Sequence, residues 1–119
     1  MTMTPTLTAL LEKKCRPLEH ALAPSEIDAY LALIDGWHLT DGKVCKQFDF
    51  GNYYETLAFI NAIAYVVHAE DHHPELLVTY NRCVVRFDTH SVNGGKGGIS
   101  ENDFICAAKV DAIFQQSFA

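Results

Sequence analysis

The chain is short of positive charge: nine Lys and Arg stand against fifteen Asp and Glu, leaving a formal net charge of −6. A protein that grips a nucleic-acid backbone needs a basic face to displace counterions, so no nucleic-acid partner is expected. No apolar run approaches the roughly 18 residues of a membrane-spanning helix, so no membrane partner is expected either. Met1 to Leu11 lack a basic stretch and hold only Ala9-Leu10-Leu11 as an apolar run. That is not the pattern of a secretory signal, and the expected location is the cytoplasm. The four cysteines, Cys15, Cys45, Cys83 and Cys106, are widely spaced with no CxxC pair, which excludes zinc-knuckle and thioredoxin-like motifs and favours buried free thiols. HExxH is absent as well. The glycine-rich run Asn93 to Gly98 fails the phosphate-loop pattern, because Lys96 is followed by glycine rather than Ser or Thr. It reads as a flexible connector.

What is present suits one domain with a real core. Residues 1–23 are Thr-rich and then mixed, and read as a loosely attached N-terminal arm; residues 24–119 form the single domain. Pro24-Ser25-Glu26-Ile27-Asp28 starts a helix in which Ser25 caps and Asp28 stands three residues on. Its apolar positions are Ile27, Tyr30, Leu31 and Ile34, and Gly36 ends it. Trp37–Thr40 and Val44–Phe50 flank the turn signal Asp41-Gly42. Asn52 and Glu55 cap a second helix running to about His68, with an apolar stripe of Leu57, Ile60, Ala64 and Val67. Leu76–Tyr80 and Cys83–Thr89 make a second hairpin around Asn81-Arg82. Alternation along the later strand puts Cys83, Val85, Phe87 and Thr89 on one face and Val84, Arg86, Asp88 and His90 on the other. Ser100 with Asp103 caps a third helix lined by Phe104, Ala107, Ala108 and Ala112. The order is α-β-β-α-β-β-α with no fixed-period repeat. It predicts an α+β domain: a four-stranded antiparallel sheet with three helices on one face.

The chemistry concentrates in Asp71-His72-His73-Pro74-Glu75 and in Thr89-His90-Ser91. Pro74 restricts the preceding His73 to extended geometry, and His90 ends a strand that a folded sheet can return to the first pair. Neutral and protonated imidazoles coexist near pH 7, so three of them in one cleft suit acid–base work without a cofactor. A metal site is the competing reading. Adjacent residues on an extended segment point to opposite sides, so one ion rarely takes both His72 and His73, and no metal is expected. Trp37 reads most simply as a core or interface aromatic.

Taken in order, Glu70-Asp71-His72-His73-Pro74-Glu75, Tyr80-Asn81, Thr89-His90-Ser91 and Gly98-Ile99-Ser100-Glu101-Asn102-Asp103-Phe104 resemble the signature of pterin-4a-carbinolamine dehydratases. The likeness runs upstream through Gly36-Trp37, Phe48-Asp49-Phe50 and Tyr54 to Phe59, covering about residues 25 to 114. The Cys15-Arg16 region also resembles the N-terminal arm of bacterial members. The loop from Val92 to Gly98 is several residues longer than usual for the family. The resemblance implies a hydro-lyase that dehydrates 4a-hydroxytetrahydrobiopterin to quinonoid dihydrobiopterin and water, during recycling of the aromatic amino acid hydroxylase cofactor. It implies no metal and no organic cofactor, and a homodimer or homotetramer built through sheet edges and helices. His72, His73 and His90 take the catalytic positions, and Asp71, Pro74, Thr89, Ser91, Asp103 and Trp37 the substrate-binding ones. Asp71 is expected to orient one imidazole and Asp103 to do the same near His90. Partners implied are the pterin substrate and an aromatic amino acid hydroxylase. The alternative is a non-catalytic dimerisation or docking module for a hydroxylase or a transcription factor.

Overall fold

The computed structural model describes residues 5–119; residues 1–4, the start of the expected arm, lie outside the described residues. The elements are α1 (Leu7–Glu12), α2 (Pro24–Leu31), β1 (His38–Thr40), β2 (Lys43–Asp49), α3 (Tyr53–Glu70), β3 (Glu75–Thr79), β4 (Arg82–Phe87) and α4 (Glu101–Ser117). The sheet is antiparallel in the order β1-β2-β4-β3, so the two hairpins join through β2 and β4 and leave β1 and β3 as edges. The α+β architecture is as expected, with α1 as an additional helix. Among the described residues no helix is long and apolar enough to cross a membrane.

Local chemistry explains most boundaries. Asp41 and Gly42 both take positive φ, 52° and 75°, the conformation a two-residue hairpin turn demands. Asn52 accepts the Glu55 N–H at 2.9 Å and caps α3. Ser100 caps α4, with the Asp103 carboxylate accepting the Ser100 N–H at 2.9 Å. At α2 the expected Ser25 cap is replaced: Pro24, with fixed φ and no N–H to satisfy, takes the first helical position, and Ala23 becomes the cap. The second turn falls on Tyr80-Asn81, one residue earlier than the sequence suggests.

Register puts Val44, Phe48, Cys83, Val85 and Phe87 on one face of the sheet, all buried, and the helices cover that face. Phe48 and Phe59 pack with ring centroids 4.8 Å apart, and Tyr30 stacks on Phe104 at 4.9 Å. Two helical faces differ from the expected ones. In α3 the buried side is Thr56, Phe59, Ile63 and Glu70, while Leu57 and Ala64 are exposed. In α4 nearly every residue from Glu101 to Val110 is buried and Ala112 is exposed, because α1 and the chain after it cover the side turned away from the sheet.

The arm is therefore not loose over its described part. Leu10 is fully buried. Lys13 and Arg16 each pair with the Glu101 carboxylate at 2.8 Å. The Cys15 N–H donates to Glu70 at 2.7 Å, and Lys109 Nζ bridges Glu70 and the Lys13 carbonyl. Further on, Ala21 N–H donates to the Asn93 side chain and Leu22 N–H to the Ile99 carbonyl. The glycine-rich loop is consequently docked on the arm rather than standing as a free connector. A Cβ at Gly98 would meet the Ala21 Cβ at 2.8 Å, so glycine is the residue that admits the arm there. All four thiols are free, with Cys15 half-buried and its Sγ 3.5 Å from that of Cys106.

Burial opposes ionisation of Glu101, but hydrogen bonds from Lys13, Tyr30 and Arg16 outweigh it and hold its pKa down to about 2. A folded-state pKa below the unfolded value means stability that is present above the ordinary carboxylate range and lost as pH falls towards 2. The stability difference between wild type and Glu101→Gln is expected to shrink by about 3 kcal/mol from pH 7 to pH 2. Urea unfolding across that range measures it; a constant difference would show that Glu101 carries no pH-linked stability.

Candidate active site

Helix α3 ends where Asp71 adopts the left-handed conformation (φ 50°, ψ 46°), which turns the chain back so that the next residue faces α4. His72 Nε2 then lies 2.6 Å from Asp103 Oδ1. The His72 side chain is only 12% exposed and that of Asp103 not at all. Asp103 Oδ2 accepts from Thr89 Oγ1 and from the Ser100 N–H, both at 2.9 Å. The carboxylate is thus filled on one oxygen by the helix cap and the neighbouring strand, and offers the other to the imidazole. Phe87, two residues before Thr89 on the same face, lies parallel to the His72 ring at 5.9 Å with 9° between planes. The contacts fix the ring orientation; with Asp103 as a carboxylate the Nε2 contact is an N–H donation, and Nδ1, which makes no hydrogen bond to the described residues, is open to a ligand.

The other two histidines stand at the surface of the same depression. His73 is 73% exposed and 3.7 Å from Asp71; His90 is 85% exposed and 3.9 Å from Asp88. A concavity of about 200 Å³ is lined by all three imidazoles together with Asp71, Asp88 and Ser91. A second, of about 340 Å³, lies against His72 on the side of the N-terminal arm. The two share Asp71, His72, Thr89 and Ser91, so they meet at His72. Among the described residues no three His, Cys, Asp or Glu side chains are grouped to hold a metal ion.

Three expected placements need correction. Asp103 serves His72 and not His90, because it sits under the turn after α3 while His90 faces out from the end of β4. Trp37 lies in the core between Phe48 and Phe87, with no partner for its Nε1 among the described residues, and lines neither concavity at His72. Pro74 lines another, apolar groove with Val67, His73 and Leu76 and does not line either concavity at His72. Phe87, Asp88, Asn102 and Arg16 were not marked as site residues by the sequence. Of these Asp88 was within reach, since strand alternation already placed it on the face of His90.

The sequence model of the family described as pterin 4 alpha carbinolamine dehydratase matches residues 20–113. The chain belongs to this family. A protein of Bdellovibrio bacteriovorus, provisionally named a pterin-4-alpha-carbinolamine dehydratase, is 62% identical over 94% of this chain and 93% of its own. One from Nitrosospira multiformis with the same provisional name is 47% identical over 95% of this chain and 99% of its own. Among solved structures, a crystal structure titled transcriptional coactivator/pterin dehydratase from Brucella melitensis superposes with a TM-score of 0.71 at 33% identity, covering 79% of this chain and 98% of that one. In this chain the His72–Asp103 pair and the two exposed imidazoles line one depression.

Proposed function

We propose that this chain is a 4a-hydroxytetrahydrobiopterin dehydratase, and the observation that carries the reading is the placement of three imidazoles around one concavity, one of them held by a buried carboxylate. Dehydration breaks the C4a–O bond, which needs a proton on the departing oxygen. It also removes the proton from the neighbouring ring nitrogen, so that the C–N double bond of the quinonoid product forms and water leaves. His72, whose Nδ1 bonds no described residue, is the base at the ring nitrogen. His90, solvent-exposed beside Asp88, is the acid that protonates the leaving hydroxyl. His73 contacts the pterin. Asp71 and Ser91 line the pocket beside them, and Thr89 with Asp103 positions His72. Positioned general acid–base groups contribute about 10²–10⁴-fold.

Purified protein should accelerate the decay of enzymatically generated 4a-hydroxytetrahydropterin in a stopped-flow assay. Decay at the buffer rate, with folding confirmed by circular dichroism, would end the reading. Oligomerisation belongs to the same proposal: the open ladders of β1 and β3 suit pairing of sheets between subunits into a dimer or tetramer. Light scattering at micromolar concentration checks it, and a monomer mass would contradict it.

A further inference from the structure

The family match begins at residue 20, yet the segment before it forms one side of the site. Cys15, Arg16 and Pro17 line the 340 Å³ concavity opposite His72 and Thr89. The depression around His73 and His90 holds about 200 Å³, below the roughly 300 Å³ at which small-molecule pockets begin. The two concavities meet at His72, so a bicyclic ring bound there can reach the arm.

Arg16 is the residue there with unused recognition capacity. Its main chain is clamped on both sides by one side chain: its N–H donates to Asn102 Oδ1 at 3.2 Å and its carbonyl accepts from Asn102 Nδ2 at 2.7 Å. Its guanidinium is tethered at Nη1 by Glu101 at 2.8 Å, its side chain is 51% exposed, and its remaining N–H groups bond no described residue. The arm is also fastened to Glu70, the residue before Asp71-His72, so the wall and the proposed base share an anchor. A guanidinium held at one nitrogen keeps further donors in a fixed plane, which suit the carbonyl oxygen of a pyrimidinone ring.

We propose that Arg16 is a substrate-contacting specificity residue, donating to the pyrimidine edge of the pterin from outside the family domain. The inference rests on the dehydratase reading for its substrate class. Lys13 provides the control, because it pairs with the same Glu101 carboxylate but does not line the concavity.

The experiment compares wild type, Arg16→Lys and Lys13→Ala in steady-state dehydration, in binding of oxidised biopterin by fluorescence, and in thermal melts. Arg16→Lys keeps a charge for Glu101 but loses the planar donors, and is expected to raise KM and the biopterin Kd about 10-fold while kcat stays within about 2-fold. Lys13→Ala is expected to lower Tm and leave KM and Kd unchanged. Unaltered KM and Kd in Arg16→Lys, or an equal rise in Lys13→Ala, would overturn the proposal. Wild type that binds biopterin through Arg16 without turnover would uphold Arg16 and sink the dehydratase reading. Turnover that is indifferent to Arg16 would do the reverse, and wild type that neither turns over nor binds would overturn both.

Discussion

Asp103→Asn is expected to lower kcat by about 10²-fold or more. The Ser100 N–H can only donate, so the single amide oxygen of an asparagine must face it, and the NH₂ group then points at His72 Nε2. His72 has to accept there, which moves its proton to Nδ1 and converts that nitrogen from an acceptor to a donor. The substitution keeps shape and burial while inverting the tautomer that the proposed base requires. Steady-state kinetics with a melt as control measure it. A kcat near wild type would show that the His72–Asp103 pair has no part in proton transfer.

His72→Ala and His90→Ala are each expected to lower kcat by about 10-fold or more, and the double variant by less than the product of the two. Both side chains line one concavity, and the expectation follows if one is the base and the other the acid of a single dehydration, as proposed above. Once either is gone, the other has less of a concerted transfer left to assist. His73→Ala should act on KM more than on kcat. His38→Ala, at the exposed edge of the sheet on β1, should change neither. Full activity in the double variant would reduce all three imidazoles to binding or structural roles.

The Asp103 assignment shows where reading the sequence stops. The spacing of Ser100 and Asp103 identifies a capping box, and the box is present, but a carboxylate has two oxygens and the local motif accounts for one. The partner of the other lies 31 residues away, at a histidine aimed by the left-handed turn at Asp71. The buried face of α3 was hidden for a related reason. Thr56 and Glu70 are polar, so the true stripe looks less apolar than its neighbour Leu57-Ile60-Ala64-Val67. Both are buried because each has a specific distant partner: Thr56 donates to the Tyr80 carbonyl, and Glu70 takes Lys109 and the Cys15 N–H. The arm misled in the same way. A six-residue helix is marginal alone, and Leu10 burial, the Glu101 ion pairs and the Lys109 bond to the Lys13 carbonyl hold it.

By itself the sequence determined the α+β class, the hairpin at Asp41-Gly42, the caps at Asn52 and Ser100 and the outward facing of His90. Those properties depend on φ preferences, capping hydrogen bonds and side-chain alternation, which act over two to four residues. Tertiary structure alone decided which imidazole receives the Asp103 carboxylate and that Arg16 stands in the wall of the pocket. Each of those depends on where a helix end meets a strand or an arm from tens of residues away, and no local preference encodes that meeting.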